Sequence, residues 1–238
     1  MMKVSVIIPV YNEENRIENV LNAIFRAEDI DRLLQEVLIV DAGSTDKTCQ
    51  IAAKFPVEIF SSEKGRAKQM NFGACTAKGS ILHFVHADSI PPTSFLKNIE
   101  KEIASGYKVG CFRSKFTTKS FMLLICSYCT RFNGMLFRGG GQTLWINKQL
   151  YHDLRGYNEE MLFMEEYDFI QRVSKKTHFK VIDKSVLVSA RDYEKYGHWR
   201  LQFLYGIVYV LYFSGASQKT IADFIKKRIK KKKYEKKV

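Results

Sequence analysis

The apolar positions change period several times along the chain. Val4 to Val10 (VSVIIPV) is an unbroken, mostly β-branched run, the pattern of a strand buried on both faces of a parallel sheet. Ile17, Val20, Leu21 and Ile24 then recur at helical spacing, which predicts an amphipathic helix over 13–27 with Asn12 as its cap and Glu13 and Glu14 in its first turn. Val37 to Val40 is a second buried strand, ending in Asp41-Ala42-Gly43-Ser44. Ser44 or Thr45 would cap a helix reaching about Lys54. Val57–Phe60 predicts a third strand, Gly65–Ala77 a helix, and Ile81–Val85 a fourth strand that runs into His86-Ala87-Asp88. Four strand–helix alternations predict an α/β fold, a parallel sheet with helices on both faces. Ligands of such sheets bind at the carboxyl ends of the strands. Asp41 and Asp88 each follow a strand end and would project into one crevice.

The second half is less regular. A helix over 94–104 and a strand over 109–116 are followed by an apolar helix near 119–133. The run Arg138-Gly139-Gly140-Gly141-Gln142 leads into a strand at 143–147, a short helix over 148–155 and a helix over 165–175 opened by acids. Two short strands, 181–182 and 186–189, precede an aromatic helix over 198–213. There is no repeat and no Pro/Gly/Ser linker, so the expected division is one domain over 1–218 and a basic, helical, fraying C-terminal segment over 219–238.

Charge supports that division. The formal charge is +13, and residues 219–238 hold ten Lys or Arg against two acids, leaving +8 there and +5 on the rest. Charge gathered in a terminal segment points away from nucleic acid and toward a solvated extension or an anchor to anionic lipid. The five cysteines are odd in number, and the chain opens Met-Met-Lys directly into a strand, so reduced thiols in a cytoplasmic protein are expected. Cys126 and Cys129 form a CxxC inside an apolar run with no second pair at ligand spacing, which reads as packing ahead of zinc or redox chemistry. No stretch reaches the roughly 18 apolar residues of a membrane span; Phe203–Phe213 comes nearest. Peripheral attachment at the inner face of a membrane is therefore an option, at about 1 kcal/mol per basic residue near the surface.

The candidate chemistry lies at the strand ends and one helix start. Asp41 can accept from the N–H edge of a base, with a plain strand–turn–cap as the alternative. Asp88 suits a divalent cation that neutralises a departing diphosphate. His86 is either a further ligand, a diphosphate contact or a packed or solvent-facing side chain. Lys64 and Arg66 flank Gly65 at a helix start and could hold phosphates, or form a solvated basic face. Glu165 and Glu166 suit the helix dipole, but one of them, Glu166 first and Glu165 second, could take the proton of an attacking hydroxyl. Gly140 and Gln142 would line an acceptor pocket or simply bend a loop. Arg191, Trp199 and Arg200 could close over a diphosphate or stack on a sugar, although a packed aromatic helix is the simpler reading of Trp199.

Taken in order, KVSVIIPVYNEE, VDAGSTD, KGRAKQMNFGA, FVHADS and MEEYDF resemble the family 2 glycosyltransferases of the GT-A fold, over about residues 3–200. GRAKQMNFGA, VHADS and RGGGQTLWI look more particularly like a bacterial subgroup named for arsenosugar biosynthesis. The resemblance implies a GT-A-type, Rossmann-like, mostly parallel central sheet flanked by helices. It implies inverting transfer from a nucleoside-diphosphate sugar, UDP- or GDP-linked, to a hydroxyl acceptor, lipid-linked acceptors included, with Mg or Mn. It places Pro9, Tyr11 and Glu13 in the nucleotide-binding opening, Asp41 at the base, Asp88 at the metal and Glu166 at the general base. Three departures stand out: Asp41-Ala42 replaces the family's Asp-Asp, His86-Ala87-Asp88 its Asp-x-Asp, and Glu165-Glu166 its Glu-Asp. The lost metal carboxylate keeps open a non-catalytic or weakly active nucleotide-sugar-binding protein at a membrane surface. A nucleotidyltransferase would need a glycine-rich phosphate loop after the first strand, and YNEENR supplies none.

Overall fold

The computed structural model describes residues 2–230. Its strands are β1 Val4–Val10, β2 Leu34–Asp41, β3 Glu58–Ser61, β4 Ile81–Phe84, β5 Ser89–Ile90, β6 Val109–Phe116, β7 Leu144–Asn147 and β8 Lys180–Val188. Its helices are α1 Ile17–Phe25, α2 Ile30–Leu33, α3 Thr48–Ala52, α4 Arg66–Thr76, α5 Phe95–Ala104, α6 Phe121–Cys129, α7 Lys148–Asp153, α8 Glu165–Ser174, α9 Arg191–Tyr196, α10 His198–Phe213 and α11 Gln218–Lys230. The strands form one sheet in the order β3-β2-β1-β4-β7-β6-β8-β5. The first four are parallel, β7 runs antiparallel to β4 and β6, and β8 is parallel to β6. The expected α/β, mostly parallel architecture is the one observed.

The alternation of side chains along β1 divides the core into two layers. Val6, Ile8 and Val10 face Ile17, Val20, Leu21 and Ile24 of α1. Ile7 faces the other way, onto Ala67, Met70 and Ala74 of α4. Both layers are apolar, which is why β1 carries no polar/apolar alternation. Helix α4 approaches the sheet closely because Gly73 lies over β1 and β2: a Cβ there would come within 2.5 Å of Ile7 Cγ2 and 3.2 Å of Val40 Cγ2.

Pro9 marks where the sheet opens. Odd-numbered residues of β1 turn their backbone groups toward β4, as shown by Ile81 N–H bonding to Lys3 O at 3.0 Å and Val85 N–H to Ile7 O at 3.0 Å. The ring nitrogen of Pro9 faces the same way and has no hydrogen to donate. Pairing of β1 with β4 stops at Ile7 and Phe84, whereas pairing with β2 continues to Val10 and Asp41. Residues 86–88 thereby leave β1 beside its end, before β5 rejoins the sheet against β8.

Several expected elements shift. The first helix starts at Ile17 rather than at residue 13, and Asn12 does not cap it. Asn12 adopts φ 55° and its Oδ1 accepts the Thr45 amide at 2.8 Å, while its own amide donates to Ser44 Oγ at 2.9 Å. Glu13 and Glu14 donate backbone amides to Thr48 Oγ1 at 2.7 Å and Asp46 Oδ2 at 3.1 Å. The loops after β1 and β2 are thus stitched together, and that cross-linking outcompetes the local cap. Likewise the second helix begins at Thr48, because the Ser44 hydroxyl is turned to Asp41 and caps nothing. The two short strands expected near 181–189 are one strand, β8, whose register against β6 shifts between Phe112 and Arg113. The two-residue β5 and six-residue α9 are too short to leave a period in the sequence. Of the C-terminal segment, α11 packs Ile221 and Ile225 against Val208, so it adheres to the body at least that far; residues 231–238 lie outside the described residues.

Gly73→Ala should destabilise the fold by about 1–3 kcal/mol, since Ile7 is fully buried and β-branched and cannot move aside cheaply. A lowered denaturant midpoint with an unchanged slope is the expected reading.

Candidate active site

Three loops meet beyond the carboxyl ends of β1, β2 and β4, and the first holds Asp41. This residue is buried, and its two oxygens accept from the amides of Gly43 at 3.1 Å and Ser44 at 3.0 Å and from the Ser44 hydroxyl at 2.5 Å. Gly43, at φ 80°, allows the backbone to fold over the carboxylate in this way. Asp41 thus shapes the loop it begins, and a base N–H would have to join an existing fan of donors. Gln69 of α4 fixes the same edge from below, its buried Nε2 donating to Val10 O at 2.9 Å and Val40 O at 2.7 Å. Tyr11 is exposed on the loop after β1, and Lys64 Nζ lies 3.7 Å above its ring, joining that loop to the start of α4.

Negative charge converges around Glu13. Burial pushes its carboxyl up to about 7, Arg191 opposes the rise, and Asp88, Asp192 and Asp46 add to it. The ion pair with Arg16 at 3.2 Å does not overcome this. Asp88 is half-buried; its Oδ1 accepts the Ser89 hydroxyl at 3.0 Å and its carbonyl accepts the Ser189 amide at 3.1 Å. The second contact ties the β4 loop to the end of β8 and brings α9, with Arg191, over the site. Tyr205 of α10 also comes close enough to interact with the charges of Asp192, Arg66 and Asp88.

The two glutamates that open α8 receive different surroundings. Glu165 is buried and pairs with Arg66 Nη1 at 3.2 Å. Glu166 lies 2.7 Å from His86 Nε2, and both side chains are close to nine-tenths buried. Burial pushes the Glu166 carboxyl up, but the charge and hydrogen bond of His86 and the charge of Arg66 outweigh it and hold it below the ordinary carboxylate range. An ionised carboxylate only accepts, so the hydrogen of this bond resides on His86 Nε2. Glu166 also borders a cavity of about 10 Å³, room for at most one water, together with Cys111, Gly139, Gln142 and Tyr157.

His86 Nε2 is engaged by Glu166, which leaves Nδ1 as the ring nitrogen that could meet a cation. Among the described residues no three of His, Cys, Asp and Glu stand close enough to hold a metal between them. Asp88 still fits a hard cation of the Mg or Mn type, which commonly takes one or two carboxylates and completes its shell with substrate phosphates and water. The surplus of carboxylates around Glu13 suits a positive guest.

The remaining expected residues are placed less centrally. Arg138 is buried, donating to Cys111 Sγ at 3.0 Å and to the carbonyls of Thr130 and Phe132. Gln142 Oε1 accepts the Gly139 amide at 3.1 Å, closing the turn in which Gly140 begins a short 3-10 helix. Trp199 is 77% exposed, and Arg200 donates to Arg228 O at 2.7 Å. Sequence reasoning read Asn12 only as a helix cap and did not single out Gln69, Tyr157 or Tyr205. Asn12 and Gln69 stood inside quoted motifs; the tyrosines of a helix and a loop carried no signal.

A family model described as "Glycosyl transferase family 2" matches residues 5–162, a stretch that ends just before α8. Glycosyltransferase AglE of Haloferax volcanii is 37% identical over 101 residues, 40% of this chain and 33% of that protein. The dolichol-phosphate mannosyltransferase of Pyrococcus furiosus is 32% identical over 115 residues, 46% of this chain and 32% of that one. The chain thus spans about a third of the length of these relatives. Among solved structures, Staphylococcus aureus TarS 1–349 in complex with UDP-GlcNAc superposes with a TM-score of 0.68 at 22% identity, covering 79% of this chain and 58% of that one. The mannosyltransferase PcManGT of Pyrobaculum calidifontis, in complex with GDP-Man and Mn2+, gives 0.64 at 18% identity, covering 87% and 62%. At these identities the superpositions establish a shared fold.

The Glu13 environment makes stability depend on pH. With its carboxyl raised to about 7, the folded chain binds more protons than the unfolded chain between about pH 4.5 and 7, so stability falls as pH rises through that window. Glu13→Gln should gain about 2 kcal/mol at pH 8, after allowance for partial exposure, and nothing near pH 4. Urea unfolding at the two pH values checks both the size and the sign.

Proposed function

The chain belongs to glycosyl transferase family 2, and on that premise we propose that it transfers a sugar from a nucleoside diphosphate, UDP or GDP, to an acceptor hydroxyl, with inversion at the anomeric carbon. The observation that carries the catalytic part is the ionised Glu166, held by His86 at the crevice where Arg66 and Asp88 also converge. In this reading Glu166 accepts the acceptor's hydroxyl proton as the oxygen attacks the anomeric carbon. The bond from that carbon to the diphosphate breaks, and the leaving group carries the electron pair away. His86 positions the base, and Glu165 is occupied by its ion pair with Arg66. Lys64, Arg66 and Arg191 are the cations that would receive the diphosphate. A Mg or Mn ion held by Asp88 together with the phosphates would add Lewis-acid neutralisation of the leaving charge.

Pro9, Tyr11, Glu13 and Asp41 form the wall for the nucleoside. The UDP-GlcNAc and GDP-Man complexes of proteins with this fold support the donor class, and Mn2+ in the second supports the cation. Residues 1–218 are assigned to catalysis. The positive charge of 219–238 would hold the enzyme at the anionic inner face of a membrane, where a lipid-linked hydroxyl acceptor is within reach.

Release of UDP or GDP from a panel of nucleotide sugars with Mn or Mg tests the reading. Glu166→Gln should lower kcat by about 10²–10⁴ while nucleotide affinity stays within a few-fold. If no donor is consumed with either metal and Glu166→Gln changes nothing, the chain binds nucleotide sugars without turning them over. His86→Asn removes the group that offsets burial of Glu166, so the acid limb of the kcat/KM profile should move to higher pH.

A further inference from the structure

Beyond His198, Arg200 and Gln202 in its first turns, helix α10 is apolar on more than one side. Leu201, Leu204 and Val208 are buried on one side. Trp199, Phe203, Val210 and Phe213 emerge on another, at intervals of four, seven and three residues that align them along one stripe. Trp199 and Phe203 are 77% and 71% exposed. Helix α6 repeats the pattern: Met122 and Leu123 are buried, while Phe121, Leu124, Ile125 and Tyr128 face solvent, with Phe132 following at the same spacing. The two helices touch, and Ser120 and His198 line one cleft, which sets the starts of the two stripes near each other. Isolated exposed apolar side chains are ordinary, but a contiguous field of large ones marks a contact surface.

The charge around this field identifies what it meets. Lys119 precedes α6, and Arg131, stacked on Tyr128 at 3.5 Å, follows it. The bond from Arg200 to Arg228 O sets the exposed cations Lys226, Lys227 and Arg228 of α11 beside the first turn of α10. Residues 231–238 add five lysines against one glutamate to the sequence beyond that point. No helix among the described residues is long and apolar enough to cross a membrane. An apolar stripe with aromatic anchors and a cationic border is the chemistry of a segment lying in the plane of an anionic lipid surface. We infer that the α6–α10 face docks onto anionic bilayers, inserting Phe121, Ile125, Trp199 and Phe203 among the lipid chains. A cleft of about 750 Å³, lined by Thr117–Ser120, Glu194 and His198, lies between the starts of the two helices and would open at the lipid surface.

This extends the lipid contact proposed above from the basic end to a defined face, and it does not depend on sugar transfer. The chain carries its own reporter, because of its two tryptophans Trp145 is fully buried and Trp199 is exposed. The full chain is titrated with phosphatidylcholine vesicles with and without phosphatidylglycerol, and with vesicles brominated on the acyl chains. The expected result is a blue shift and bromine quenching of Trp199 with anionic vesicles, and at least ten-fold weaker binding for Phe121→Ser/Ile125→Ser/Phe203→Ser. Replacing the lysines of 231–237 with Gln should reduce affinity and its salt dependence yet leave quenching at saturation. Vesicle binding without acyl-chain quenching, or undiminished in the triple variant, would leave charge alone as the anchor and overturn the inference. So would a dimer that the triple variant abolishes in a chain that ignores vesicles.

Discussion

A missing amide hydrogen organises the edge at which the candidate site forms. Proline at position 9 of β1 turns its ring nitrogen toward β4, where the next rung of the parallel ladder would form. Pairing ends at Ile7 and Phe84, and the segment carrying His86 and Asp88 leaves the sheet just where β1 and β2 still run side by side. The crevice is a consequence of that divergence. Gln69 completes the arrangement by bonding the carbonyls of Val10 and Val40, so the edge is parted on one side of β1 and tied on the other.

What the crevice collects is charge that the surrounding structure sorts. Glu165 and Glu166 are adjacent in sequence and emerge from the same helix start, yet one is paired with the Arg66 guanidinium and the other with the His86 imidazole. Distinct roles for neighbouring carboxylates arise in this way, from partners supplied by distant segments. Here the partners come from the start of α4 and the loop after β4. Glu13 shows the converse. Burial among Asp46, Asp88 and Asp192, with Arg191 in opposition, makes it hold its proton near neutrality, which marks the place where a positive group is most favourable.

Most of the fold was legible because its strands are doubly buried and its helices amphipathic, and these leave continuous runs and 3.6-residue periods in the sequence. β1, β6, α4, α8 and α10 fall within a residue or two of the positions that periodicity predicts. The first loops did not, since Asn12 and Ser44 are good caps by residue type and the structure spends their side chains on bonds between loops 32 or 33 residues apart. Individual acidic residues were legible as candidates at strand ends and at a helix start. Their pairing was not. That His86 would meet Glu166 across 80 positions follows from how α8 lies on the sheet, and no local pattern encodes it. In the run from Arg138 to Gln142 the guanidinium bonds carbonyls of the chain itself, while Gly139 and Gln142 border the small cavity beside Glu166.

Helix α10 joins the two halves of the proposal. Its buried side holds α6 and α11, and Tyr205 brings a hydroxyl toward the charges of Asp88 and Arg66. Its remaining side offers Trp199 and Phe203 to the surroundings. A helix that served only to cover the crevice would have no use for large apolar groups on its outer stripe, because burying them nowhere brings no stability and exposing them invites association. A helix that served only as an anchor would not need to reach the charged crevice. With both features in sixteen residues, the stripe proposed to meet lipid and the Tyr205 edge of the crevice belong to one element, so on the proposed reading a hydroxyl delivered from a bilayer would arrive along that helix.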